Sequence, residues 1–220
     1  MADDFIHFPS TISGSAIIRE HIRVRDYGAK ETIIIEKDDS AQVYFILSGK
    51  VKVTSFHTNG KEVWHAALSE GYTFGEMAAI SGASRSASVV TLAPSRIGIL
   101  PQAHFLAALE AEPGLALYFL KDMVARLQTT TLYSNERIAL DIPARICAEL
   151  LRQASEKPNA DGGYPVARDL TVTALAERIN AKRETVSRHI STLIEAGSVK
   201  KKGRQFIVLD KAALEARSEG

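Results

Sequence analysis

The run Phe74-Gly75-Glu76-Met77-Ala78-Ala79-Ile80-Ser81-Gly82-Ala83-Ser84-Arg85-Ser86-Ala87 is the stretch on which the fold turns. Gly75 opens a short apolar turn of helix, and a loop of small residues then delivers one arginine into the next strand. A helix N-terminus framed by small side chains offers backbone N–H groups to an anion. A single guanidinium adds two parallel donors that suit a phosphate. Glu76 would repel a phosphate but accepts hydrogen bonds well from a sugar hydroxyl, so the combination suits a ribose joined to a phosphate. The same residues also read as a solvated loop arginine beside a surface glutamate, which taken alone is the commoner arrangement.

On both sides of this stretch the texture is that of short strands. Thr32–Ile35, Val43–Leu47, Lys50–Phe56, Glu62–Leu68, Ser88–Leu92 and Arg96–Leu100 are rich in β-branched and aromatic residues. Ser48-Gly49, Asn59-Gly60, Glu70-Gly71 and Ala93-Pro94 punctuate them. Asn59-Gly60 is the sharpest hairpin signal, because a type I′ turn needs positive φ at both central residues. The pattern predicts a small antiparallel barrel or sandwich. Upstream, residues 1–25 are mixed; Phe5, Ile6, Phe8, Ile17, Ile18 and Ile22 suit short helical packing pieces.

Downstream comes one long helix, predicted from Leu115 to Leu140. Leu117, Leu120, Val124, Leu127, Thr131, Ser134 and Ile138 alternate in steps of three and four, which keeps them on one face. Glu112-Pro113-Gly114 and Asp141-Ile142-Pro143 mark its limits. A helix of about 25 residues is about 37 Å long, well suited to pairing with a copy of itself. Its seam is apolar at one end and passes through Thr129-Thr130-Thr131, which are mediocre seam residues.

After it, Asp141 caps a helix with Pro143 in its first turn and Ile142, Ile146, Leu150 and Leu151 on its apolar face. The loop 157–163 follows. A helix from Thr171 then turns Leu175, Ala176 and Ile179 inward. A turn at Asn180-Ala181 leads to a second helix, Arg183–Ala196, with Val186, Ile190, Leu193 and Ile194 expected inside. Gly197 stops it, and Val199–Leu209 reads as a hairpin with a basic tip. Two short helices, a tight turn and a β-wing make a winged helix-turn-helix. Arg183, Glu184, Ser187 and Arg188 fall on the outer face of the second helix. Arginine reads guanine O6 and N7, and glutamate accepts from cytosine N4. A helix built only to hold phosphates gains nothing from Glu184. The bland alternative is a solvated helix with a Glu184–Arg188 pair.

These motifs carry a resemblance. From about Tyr27 to Leu100, including Tyr44–Gly49, Asn59-Gly60-Lys61-Glu62, Phe74-Gly75-Glu76 and Arg85-Ser86-Ala87, the chain resembles the cyclic-nucleotide-binding β-roll. Ser84 stands where the commoner pattern has proline before the arginine. Arg183-Glu184-Thr185-Val186-Ser187-Arg188 resembles the recognition helix of the cyclic-AMP receptor protein / fumarate–nitrate regulator family, nearest the cyclic-AMP receptor protein branch. Arg126-Leu127-Gln128 with the threonines resembles that family's dimer helix. Val172-Thr173 depart from it, where relatives carry Arg-Gln.

The resemblance implies an α+β fold of two domains: a jelly-roll-like cyclic-nucleotide-binding β-roll over residues 1–112, a dimerisation helix over 113–140, and a winged helix-turn-helix over 141–220. It implies a nucleotide pocket of Gly75, Glu76, Met77, Arg85 and Ser86, with Arg126, Thr130 and Thr131 from the long helix. Glu76 would take the ribose 2′-hydroxyl, Arg85 and Ser86 the cyclic phosphate, and the threonines the base. It implies base reading by Arg183, Glu184 and Arg188, and phosphate contacts from Lys182, Thr185, Ser187, Lys202 and Arg204. The expected protein is a homodimeric transcription regulator, responsive to cyclic AMP, acting on a palindromic TGTGA-like site in double-stranded DNA and meeting RNA polymerase. The alternatives are cyclic GMP or another effector, or DNA binding without ligand, since a threonine hydroxyl both donates and accepts and names no base.

Composition fits. The 220 residues are 45% hydrophobic and 24% charged with a net charge of +1, ordinary for a globular protein. Arg168–Arg204 holds nine Lys or Arg against four Asp or Glu, a local +5 in a chain otherwise net acidic, which points that segment at an anionic partner. Asp3 and Asp4 with no apolar run argue against a secretory signal, and no stretch reaches the length of a membrane span, so a cytoplasmic location without membrane contact is expected. The lone Cys147 excludes an internal disulfide and a cysteine-ligated iron–sulfur cluster, and reads as a buried thiol. Six scattered histidines lack metal or haem spacing. No catalytic constellation is present, so no enzyme is expected.

Overall fold

The computed structural model describes residues 5, 7–56, 62–168 and 170–218. The chain divides into two compact units, Met1–Ala125 and Arg126–Gly220.

The first unit runs α1 (Ser10–Ser13), α2 (Ala16–His21), β1 (Arg23–Tyr27), β2 (Thr32–Ile34), β3 (Val43–Ser48), β4 (Lys50–Phe56), β5 (Glu62–Ser69), β6 (Thr73–Phe74), α3 (Glu76–Ser81), β7 (Ser88–Thr91), β8 (Ser95–Leu100) and α4 (Gln102–Ala111); α5 (Pro113–Ala139) begins there. Two antiparallel sheets of four strands form, in the orders β1-β8-β3-β6 and β2-β7-β4-β5. Period-two alternation explains how they pack. On β3, Tyr44 and Ile46 point between the sheets and join Ile34, Val51, Leu68, Phe74, Val89 and Ile97 in one core. Val43, Phe45 and Leu47 point to the other face, which Phe5, Phe8, Ile12, Ile18, Phe105 and Phe119 cover. β3 is therefore buried on both faces and reads as an unbroken apolar run. Phe56 pairs with Glu62, so β4 and β5 form a hairpin. The Asn59-Gly60 turn itself lies outside the described residues.

The helix α5 starts at Pro113, where the missing N–H is no loss, and runs 27 residues. Leu115 and Phe119 are its buried residues, and Phe119 meets Phe105 edge-on at 5.0 Å. The predicted seam is a different face: Leu117, Leu120, Val124, Leu127 and Ile138 are all exposed, Ile138 at 84%.

The second unit continues from α5 through α6 (Ile142–Gln153), β9 (Tyr164–Pro165), α7 (Val172–Arg178), α8 (Arg183–Glu195), β10 (Val199–Lys202), β11 (Gln205–Val208) and α9 (Lys211–Ser218). Asp141 caps α6 by accepting from the Ala144 N–H at 2.9 Å, and Thr171 caps α7 by accepting from Ala174 at 3.1 Å. Gly197, at φ 74°, ends α8 in the left-handed region, and the Ser198 N–H reaches back to the Leu193 carbonyl. The three-stranded sheet β10-β11-β9 and the helices share a core of Ile146, Leu150, Leu175, Val186, Ile190, Phe206 and Leu214. Cys147 lies in it, 1% exposed, and burial raises its thiol pKa. One inward assignment is corrected: Ile194 is 37% exposed, because Val186, Ile190 and Leu193 already complete the apolar face of α8. The two-domain α+β architecture, with its β-sheet unit, long helix and winged helix-turn-helix, is the one the resemblance implies.

Candidate functional site

The stretch 74–87 turns where β6 passes into α3. Gly75 sits there at φ 83° and ψ 0°, a conformation that favours glycine. A Cβ on it would lie 2.7 Å from Arg85 Nη1 and 2.9 Å from the Gln42 carbonyl oxygen. Backbone strain and crowding thus require the same residue.

Arg85 and Glu76 are buried, at 3% and 2% exposure, so the reading of a solvated arginine and a surface glutamate falls. The guanidinium is held on three sides. Nε donates to Ser40 Oγ at 3.1 Å, Nη1 to the Gly75 carbonyl at 2.8 Å, and Nη2 to the Gln42 carbonyl at 2.8 Å. It also lies 5.6 Å from the Tyr44 ring, itself stacked on Phe74 at 5.0 Å. Burial lowers the Arg85 pKa, while Tyr44, Asp38 and Glu76 act in the opposite direction. Gly75, Glu76 and Arg85, up to ten residues apart in sequence, are therefore brought together. Met77, on the outer side of α3, and Ser86 are exposed. Ser40, Gln42 and Tyr44 escaped the sequence reading. Two act through a short hydroxyl or a backbone carbonyl, which leave no pattern, and Tyr44 reads as an ordinary core strand residue.

Arg126, Thr130 and Thr131 lie on the part of α5 that belongs to the second unit. Thr130 Oγ1 donates to the Arg126 carbonyl at 2.9 Å, a bond back along its own helix. Both threonines are exposed.

On α8 the burial of Val186, Ile190 and Leu193 fixes what faces outward. Arg183, Glu184, Ser187 and Arg188 are exposed and, with Ser191, line an open hollow. Lys182, at the N-cap, is exposed, whereas Thr185 is half-buried. In the wing, Lys202 and Arg204 are exposed at a two-residue turn, Lys202 Nζ lying 3.9 Å from Asp161. This surface presents charged donors and one carboxylate at the N-terminal end of a helix, a form that suits base edges in a major groove.

No helix among the described residues is long and apolar enough to cross a membrane. No group of three or more His, Cys, Asp or Glu among them is arranged to hold a metal ion.

Residues 24–112 match the family model "Cyclic nucleotide-binding domain", and residues 144–217 match "Crp-like helix-turn-helix domain". The chain is 24% identical over 207 residues to the "CRP-like cAMP-activated global transcriptional regulator" of Mycobacterium tuberculosis, covering 94% of this chain and 92% of that one. It is 27% identical over 191 residues to the "cAMP-activated global transcriptional regulator CRP" of Haemophilus influenzae, covering 86% and 84%. Among solved structures, a CooA mutant from Carboxydothermus hydrogenoformans shares the fold, with a TM-score of 0.80 at 19% identity over 93% of this chain and 90% of that one.

Proposed function

The chain belongs to the cyclic-AMP receptor protein / fumarate–nitrate regulator family, and on that footing we propose that it is a cytoplasmic homodimer that binds a palindromic TGTGA-like DNA site when cyclic AMP occupies its sensor. The family consists of transcription regulators, not enzymes. The chain itself is a regulator with a cyclic-nucleotide-binding domain and a DNA-binding helix-turn-helix.

The observation that carries the sensor reading is the joint burial of Glu76 and Arg85 against the left-handed Gly75. Buried charges are held for a purpose or cost stability, and this pair matches a ribose hydroxyl and a phosphate. A guanidinium has five N–H donors; three go to Ser40, Gly75 and Gln42, Tyr44 interacts with the group as well, and the donor capacity left is what an anion would meet. Residues 75–77 supply the adjoining backbone, and Ser86 adds a hydroxyl. Arg126, Thr130 and Thr131 would complete the pocket from α5, whose exposed leucine seam would pair with a second copy. Arg183, Glu184 and Arg188 would read bases, and Lys182, Thr185, Ser187, Lys202 and Arg204 would hold phosphates. In the active dimer the two recognition helices would stand about 34 Å apart, one DNA turn. Contact with RNA polymerase completes the proposal.

Adenine rests on the names of the two relatives, both called cAMP-activated. Cyclic GMP is the second reading, because the threonine hydroxyls suit either base. Calorimetric titration with each nucleotide decides. Cyclic AMP is expected to bind more tightly. Silence from both at about 1 mM, where binding worth only about −4 kcal/mol still registers, would sink the sensor assignment.

A further inference from the structure

The second unit contains a buried charged cluster that neither nucleotide binding nor DNA reading uses. Its centre is Glu149 on α6, 0% exposed. The Tyr133 hydroxyl on α5 donates to Glu149 Oε2 at 3.0 Å. Arg152, also on α6, donates through Nη1 to the same oxygen. Arg178, the last residue of α7, donates through Nη1 to Glu149 Oε1 at 3.0 Å. The other end of Arg152 reaches Glu136 on α5, and its guanidinium lies 4.8 Å over the Tyr133 ring. One carboxylate thus ties three helices together.

The chemistry makes the tie specific. A buried carboxylate is tolerated only when paired and hydrogen-bonded, so few arrangements of the three helices satisfy it. Burial and then the Glu149 charge raise the Tyr133 pKa, which keeps the phenol protonated as a donor. For Arg152, burial opposes the charge, but Glu149, Tyr133 and Glu136 outweigh it and the pKa is raised. An apolar contact would let helices slide; a paired carboxylate resists it.

The placement gives the tie a direction. Tyr133 lies one turn beyond Thr130 on α5. Arg178 lies at the other end, where α7 turns into α8, and Arg145 of α6 holds the same turn by donating to the Ile179 carbonyl at 2.8 Å. We propose that Tyr133, Glu136, Glu149, Arg152 and Arg178 form a clamp that makes the recognition helix α8 follow the dimer helix α5, so that a change in α5 near Thr130 and Thr131 becomes a change in DNA affinity. The clamp rests on the nucleotide-sensor reading above and supplies its regulation; its residues are positioning residues that touch neither ligand.

The test uses the full-length protein with Tyr133→Phe, which removes one donated hydrogen bond and keeps the ring, and Glu136→Gln at the edge of the cluster. Cyclic AMP affinity, DNA affinity with and without cyclic AMP, and hydrogen exchange over α7 and α8 are measured for each. Tyr133→Phe should leave nucleotide affinity and nucleotide-free DNA affinity within about twofold. It should cut the stimulation of DNA binding by cyclic AMP about tenfold, inside the usual range of coupling between sites. Glu136→Gln should act in the same direction, less strongly. Exchange in the α7–α8 turn should quicken in both. A variant that loses DNA affinity by the same factor with and without nucleotide would overturn the clamp, because that is what a merely structural role does. If the unsubstituted protein shows no stimulation, the sensor reading fails instead, and hydrogen exchange alone judges the clamp: unchanged exchange at the turn rejects it.

Discussion

At the scale of single residues, Arg85 is part of the frame as well as the proposed ligand contact. Its guanidinium donates to the carbonyls of Gly75 and Gln42; in Arg85→Ala both lose that donor, and Gly75 keeps only the longer bond from the Ala79 N–H at 3.4 Å. The variant should lose all response to nucleotide and also lose stability, by about 1 kcal/mol for each hydrogen bond removed. Chemical denaturation beside the nucleotide titration checks both; an unchanged response would show that the nucleotide site is misplaced. The types Gly75, Glu76 and Arg85 could be read from the sequence because each carries its chemistry in its side chain or its lack of one. Their burial could not, since a loop glutamate and a loop arginine are usually solvated. Nor could Ser40 or the Gln42 carbonyl, which enter only because the chain passes there.

At the scale of elements, the recognition helix gives the sharpest expectation. Glu184 is exposed at its N-terminal end beside Arg183 and Arg188. A carboxylate there repels phosphates but accepts from cytosine N4, which is the role proposed for it. Glu184→Ala should relax discrimination at one base pair of the half-site by about 1–3 kcal/mol. Non-specific affinity should stay constant or rise. Binding to a set of singly substituted duplexes measures it; a uniform fall on all of them would assign Glu184 a structural part. The helices of the second unit were readable because Asp141, Thr171 and Gly197 mark their ends and apolar spacing marks their inner faces. Ile194 misled because its position on the wheel borders an already complete face. Among the strands, β3 announced itself by its apolar run. β1 did not: Arg23, Val24, Arg25 and Asp26 are exposed, and pairing with β8 holds them in a strand. β6, two residues long, offers no periodicity to read.

At the scale of the whole molecule, the proposed function requires the chain to couple three tasks that its sequence keeps in separate segments. The first unit buries Arg85, the long helix exposes its apolar seam, and α8 exposes Arg183 and Arg188. The ligand can act only through a preference for one arrangement of these parts. The central claim is therefore linkage between nucleotide and sequence-specific DNA, and fluorescence anisotropy with a palindromic TGTGA duplex and a scrambled duplex, at one fixed salt concentration, tests it directly. Cyclic AMP should tighten binding to the palindrome by about tenfold or more and leave the scrambled duplex nearly unaffected, and in Arg85→Ala it should change neither. Equal affinity for the palindrome with and without cyclic nucleotide, or equal affinity for both duplexes, would contradict that claim.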